Sequence, residues 1–133
     1  MIITVRGLCR DGQLIDWADR LREVHVRDGL SNTLLVGERH VALERLGMAP
    51  EDGPIYDGTL LANSTRLAGP AFRLAEGAWD TFAGYHQFGS WHPQVCQFAF
   101  ADGSIHPLWT MIDTKVLGKL SRRDDGSTFR LEL

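Results

Sequence analysis

The alternation of apolar and polar positions is clearest in the last third of the chain. Residues 95–101 form an apolar run, Asp102-Gly103 breaks it, and residues 104–109 resume as Ser-Ile-His-Pro-Leu-Trp. An Asp-Gly pair between two such runs is the strongest short-range hairpin signal, because both central residues of a type I′ turn need positive φ. The pattern predicts a C-terminal hairpin. Pro107, which has no backbone donor, places the second strand at an edge or ends its pairing there. Asp113 then reads as a helix N-cap. Val116, Leu117 and Leu120 supply an apolar stripe, and Lys115, Lys119, Arg122 and Arg123 gather toward the end where the helix dipole favours cations. Gly126 closes this unit, and Phe129, Leu131 and Leu133 alternate as a last strand over 128–133.

The earlier chain is less regular. Residues 2–6 read as a short strand and Asp11-Gly12 as a turn. Over 14–24, Leu14, Trp17, Leu21 and Val24 have helical spacing, while 23–27 alternates like a strand, and both readings stay open. Asp28-Gly29 breaks the pattern, and Ser31, Asn32 and Thr33 are residues that bond their own backbone at turns. Residues 34–43 predict an apolar strand with Gly37 inside it, a position that marks a bulge or a close backbone approach. Residues 47–58 are a loop by composition, and 59–68 carry little signal. Residues 69–89, with Phe72, Trp79, Phe82, Tyr85 and Phe88 among glycines, predict an irregular excursion that hugs the surface.

Composition fits this outline. A chain of 133 residues, 44% hydrophobic and 23% charged, suits one globular domain over 1–133. Fourteen glycines and five prolines favour a strand-rich fold over a helix bundle. The expected class is α+β: an antiparallel sheet with a C-terminal hairpin and a short helix. The net charge of −3 and the absence of a basic run give nucleic acid nothing to bind. No apolar run approaches the roughly 18 residues that cross a bilayer. Cys9 and Cys96 lie in no CxxC pattern. They read as two buried thiols, or as one disulfide that would require an oxidising compartment.

Three blocks resemble a known family. Residues 88–104, FGSWHPQVCQFAFADGS, place nine residues between His92 and Asp102-Gly103. This resembles the prepilin-type processing-associated H-X9-DG domain of pilin-like (pseudopilin) proteins of unknown function, found in planctomycete-type bacteria. Residues 27–39, RDGLSNTLLVGER, are similar to that family's Asp-Gly-x-Ser-Asn-Thr segment and the Gly-Glu that follows it. Residues 112–127, IDTKVLGKLSRRDDGS, resemble its closing helix and Arg-x-Asp-Gly turn. The resemblance marks Asp28, Gly29, Ser31, Asn32, Thr33, Glu38, His92, Asp102 and Gly103 as motif residues. It implies a pilin-like domain of the cell envelope whose partners are other pilin-like subunits or secretion proteins. The expected module lacks the leader and the apolar anchor helix of such proteins, and so has no membrane span.

The motif residues read more readily as structure than as chemistry. His92 and Asp102 stand at opposite ends of one predicted strand, too far apart to form a catalytic pair. Ser90 is not in a GxSxG elbow, which leaves a hydrolase triad with His92 unsupported. His86, His92 and His106 do not share a helical face as zinc ligands would, and Asp52, Asp57, Asp124 and Asp125 follow no EF-hand pattern. No metal and no cofactor is therefore assigned. Glu38 reads as a buried acceptor for a backbone or arginine donor. The aromatic residues cover a small core or, at Trp79, Trp91 and Trp109, offer a stacking surface for a ligand. The expected function is a non-enzymatic structural or interaction module. A carbohydrate or surface-ligand binding module is the alternative, and a small hydrolase a third reading.

Overall fold

In the computed structural model, residues 9–10, 13–14, 22–49, 51–54, 56, 63, 65–81 and 86–126 are described. Two short strands, β1 (Cys9–Arg10) and β2 (Gln13–Leu14), pair antiparallel, and the turn expected at Asp11-Gly12 lies outside the described residues. The strands expected over 2–6 and 128–133 lie outside the described residues, as does all of 15–21. Glu23–His25, where strand and helix patterns competed, is a single 3-10 turn.

The main sheet has three antiparallel strands in the order β3 (Leu34–Gly37), β6 (Val95–Phe100), β7 (Ile105–Trp109). With the helix α1 (Thr114–Leu120), it forms the α+β arrangement expected from the sequence. Strand β6 alternates strictly. Cys96, Phe98 and Phe100 are buried, whereas Val95, Gln97 and Ala99 are half-buried on the other face. The buried face meets Leu34, Leu108, Leu117 and Leu120 in one core. Pro107 sits opposite Gln97 on β7. Among the described residues β7 is an edge strand, where a missing donor costs no ladder bond.

The hairpin forms, but not with the predicted turn. Gly103 has φ +87°, while Asp102 does not have positive φ. The Gly103 amide donates to the Phe100 carbonyl at 3.0 Å, and the Phe100 amide to the Ser104 carbonyl at 2.9 Å. Three residues therefore form the loop, and one left-handed glycine suffices, as in a turn closed by a glycine bulge.

The strand expected over 34–43 is also shorter. Pairing with β6 ends at Gly37, after a register shift between Leu34 and Val36. A Cβ at Gly37 would collide with the Phe98 ring and come within 2.8 Å of Phe88. Gly37 thus marks a close approach, to two aromatic side chains. Beyond it the chain turns to new partners, with Arg39 bridging Phe88 and a 3-10 turn at Leu43–Arg45.

The aromatic stretch of 69–89 is not only a surface excursion. Leu74, Ala75 and Phe88 are buried, and Phe88 packs on Phe98 with ring centroids 5.3 Å apart. Two short strands, β4 (Ala75–Glu76) and β5 (Gly89–Ser90), pair parallel here. Helix α1 is capped as predicted: Asp113 accepts the Lys115 amide at 2.7 Å. Its buried Gly118 passes 3.1 Å from the Gly69 backbone, measured from a Cβ placed on it, so the helix lies directly on this stretch. Among the described residues no helix is long and apolar enough to cross a membrane.

Candidate functional site

The motif residues gather into three separate hydrogen-bonded centres. The first is the turn that starts at Asp28. Gly29 takes φ +95°, which leads into a 3-10 turn over Leu30–Asn32. The Asn32 side chain donates to the Asp28 carbonyl and the Thr33 hydroxyl to the Gly29 carbonyl, each at 3.0 Å. Ser31 faces solvent. The Asp28 carboxylate is buried at 3% exposure. One of its oxygens accepts the Asp125 amide at 3.0 Å and the other the Gly126 amide at 2.8 Å. The amides of Arg27 and Asp28 both donate back to the Arg123 carbonyl. A buried carboxylate is tolerated when charge-assisted bonds replace its water, and two backbone donors do so here.

The second centre is Glu38, just past the end of β3. Its amide donates to the Gln97 carbonyl at 3.1 Å, and its carbonyl accepts from Gly89 at 3.1 Å. Its carboxylate oxygen Oε2 accepts the Gln97 amide at 2.6 Å. The side chain thus takes over the ladder bond that β3 would have supplied and joins β3, β5 and β6. The other oxygen, Oε1, lies 3.4 Å from Nε2 of the largely exposed His92. The His92 amide donates to Ser90 Oγ at 2.9 Å, and Ser90 Oγ donates to the Val95 carbonyl at 2.8 Å. The turn between β5 and β6 closes through Gln94, at φ +63°, whose carbonyl accepts the Thr110 amide. Beneath lies Cys96, a buried free thiol. Burial, with the Glu38 carboxylate adding to it, pushes its pKa up to about 12. At neutral pH it is a protonated, inert core residue.

The third centre is Asp102, on the surface of the hairpin loop. Its Oδ1 accepts the Ser104 hydroxyl at 2.6 Å and the Ser104 amide at 2.9 Å. These bonds favour the charged form and hold its carboxyl below the usual range. His92 and Asp102 flank the six residues of β6, roughly 17 Å of extended chain. The structure therefore does not bring them together.

Of the tryptophans, Trp79 and Trp109 project into solvent and Trp91 is half-exposed. The Trp91 indole N–H donates to the Val41 carbonyl at 2.9 Å. Trp109 shares the outward face of β7 with Ile105 and Pro107. Phe82 and Tyr85 lie outside the described residues.

Sequence reasoning missed a buried polar layer behind Glu38. The Arg39 guanidinium donates to the carbonyls of Gly53 and Asn63 and pairs with Asp52 at 2.9 Å. Asp52, weighed as a calcium ligand, is taken up by this pair and by the Gly47 amide. Burial and the nearby Arg39 charge push Arg66 down to about 10, so it stays charged at neutral pH. His40 is buried, its Nε2 is 2.9 Å from the Asp80 carbonyl, and burial lowers its pKa. It borders a cavity of about 250 Å³ that also meets Glu44, Glu51 and Thr81. No periodicity singles these residues out, because their partners are far away in sequence. Among the described residues no three His, Cys, Asp or Glu side chains are placed to hold a metal ion.

The model of the family described as "Protein of unknown function (DUF1559)" matches residues 4–115, most of the chain. The chain belongs to this family. The match spans Asp28, Glu38, His92 and the Asp102 loop, whereas the Arg123, Asp125 and Gly126 partners of Asp28 lie beyond it. The chain matches no curated protein and no solved structure.

Proposed function

We propose that this DUF1559 protein is a non-enzymatic structural or interaction module, the globular part of a pilin-like subunit in an envelope assembly. One observation carries the reading: the motif carboxylates are engaged mainly with backbone amides. Asp28 holds a C-terminal turn, Glu38 completes a strand ladder and Asp102 shapes a hairpin loop. The Ser90 hydroxyl directs its proton to the Val95 carbonyl and accepts from the His92 amide, so it is not poised as a nucleophile on an imidazole. An active site needs polar groups left over for a substrate, and the Asp28 carboxylate, the Ser90 hydroxyl and one oxygen of Glu38 are committed to the fold.

The outward face of the sheet supports the interaction role. Val36, Ile105 and Trp109 are exposed there, although a solvated sheet face ordinarily alternates to polar residues. A photo-crosslinking amino acid at Ile105, introduced into the protein in its host cell, tests the reading. Adducts to envelope or pilin-like subunits are expected. A protein that crosslinks to nothing at this face, or only to cytoplasmic proteins, would overturn it.

A further inference from the structure

We infer that Trp91, Glu38 and His92 form a binding site for a neutral carbohydrate, taking one or two pyranose rings. The inference goes beyond the structural role proposed above and does not depend on it. An open concavity of about 350 Å³ is lined by Glu38, Arg39, Val41, Leu46, Ser90 and Trp91. Among the described residues Trp91 is its one aromatic wall. The bond from the indole N–H to the Val41 carbonyl at 2.9 Å fixes the ring and satisfies its polar atom. The residue remains 48% exposed and borders the concavity, where its ring can offer a π face. The C–H face of a sugar ring is the complement of such a surface, because the negative face of an aromatic quadrupole attracts the positive edges of C–H bonds. A ring already held in place loses little conformational entropy on binding.

The polar edge of the site suits hydroxyl groups. Glu38 Oε2 is committed to the Gln97 amide at 2.6 Å. Oε1 faces His92 Nε2 at 3.4 Å, longer than a good hydrogen bond, so a carboxylate oxygen with acceptor capacity stands beside an imidazole that is 62% exposed. A vicinal diol can donate to the first and bond the second. An anionic ligand fits worse. The cation in the lining, Arg39, already donates to Gly53, Asn63 and Asp52. A proline-rich peptide fits worse too, since its grooves are built from several aromatic residues and this lining holds one.

The test is titration of the full chain with cellotriose, chitotriose and maltotriose, read by calorimetry and tryptophan fluorescence. At least one of the three is expected to bind. Trp91→Ala is expected to weaken that binding about tenfold or more, the loss of one stacking face. Trp91→Phe keeps a smaller ring and is expected to fall between. His92→Ala, at an exposed position, weakens binding several-fold with an unchanged melting curve. Trp109→Ala, on the outward face of β7, leaves it unchanged. No binding to any of the three sugars would overturn the inference. So would an equal loss in Trp109→Ala, an undiminished affinity in a folded Trp91→Ala protein, or a proline-rich peptide that binds at Trp91 where the sugars do not.

Discussion

Asp28 and Glu38 meet the same physical demand at two places. Glu38 lies where β3 leaves its ladder and Asp28 between two 3-10 turns, and each accepts backbone amides that no helix or strand supplies with a partner. A carboxylate has several acceptor positions, so one side chain can satisfy two donors, or one donor and a neighbour. Gly37, just before Glu38, yields its side chain so that Phe98 and Phe88 can close over the strand. Cys96 pays the electrostatic consequence of the Glu38 carboxylate beside it. Its pKa in the folded protein, about 12, lies above the ordinary thiol value of 9.0. The sign follows directly. Below pH 9 the thiol is protonated in both states and contributes nothing to pH dependence. As pH rises from 9 toward 12 the unfolded state loses its proton first, and folding stability falls. A thiol reagent at pH 8 is expected to leave Cys96 unmodified in the native protein and to label it once denaturant unfolds the chain. Rapid labelling of Cys96 in the native state would contradict its burial.

At the scale of elements, the β6–β7 hairpin and α1 carry their own instructions. The hairpin has its loop glycine, and the helix has its cap and a short apolar stripe that reaches the core through Leu117 and Leu120. A helix of seven residues gains little from propensity alone and depends on its cap and its packing. Asp113→Ala removes the acceptor for the Lys115 amide and is expected to cost about 1 kcal/mol in chemical denaturation. Asp113→Asn, which keeps an acceptor, is expected to recover most of that. By contrast, β3 and the β4–β5 pair depend on neighbours. β3 ends where Glu38 takes over the ladder, and β4 pairs parallel with β5, although the described residues between them, 77–81 and 86–88, form no strand or helix of their own.

For the whole molecule, legibility in the sequence follows the range of the interactions. The hairpin, the N-cap at Asp113 and the self-bonded turn at Asn32 and Thr33 are local, and short patterns announce them. The turn type is not legible in the pair itself, because Asp-Gly is equally at home in a loop with one left-handed glycine. The true length of β3, the burial of Leu74 and Phe88, and the Arg39, His40 and Arg66 layer depend on residues many positions away. No periodicity records such contacts. The same is true of the candidate site. The motif pointed to Asp28, Glu38 and His92, but not to Asp28 reaching Asp125 and Gly126, nor to Glu38 lying between Gln97 and His92. It is these long-range bonds that turn a sequence motif into a description of how the chain is held together.

The central claim is that the motif residues build the fold, and Asp28 tests it most directly. Asp28→Ala removes a buried carboxylate that accepts the Asp125 and Gly126 amides and ties the C-terminal turn to the Asp28 turn. The denaturant midpoint of that variant, measured beside the parent protein with an unchanged slope, is expected to report a loss of roughly 2–3 kcal/mol. A variant as stable as the parent, within about 0.5 kcal/mol, would contradict the account, because surface substitutions alone behave that way.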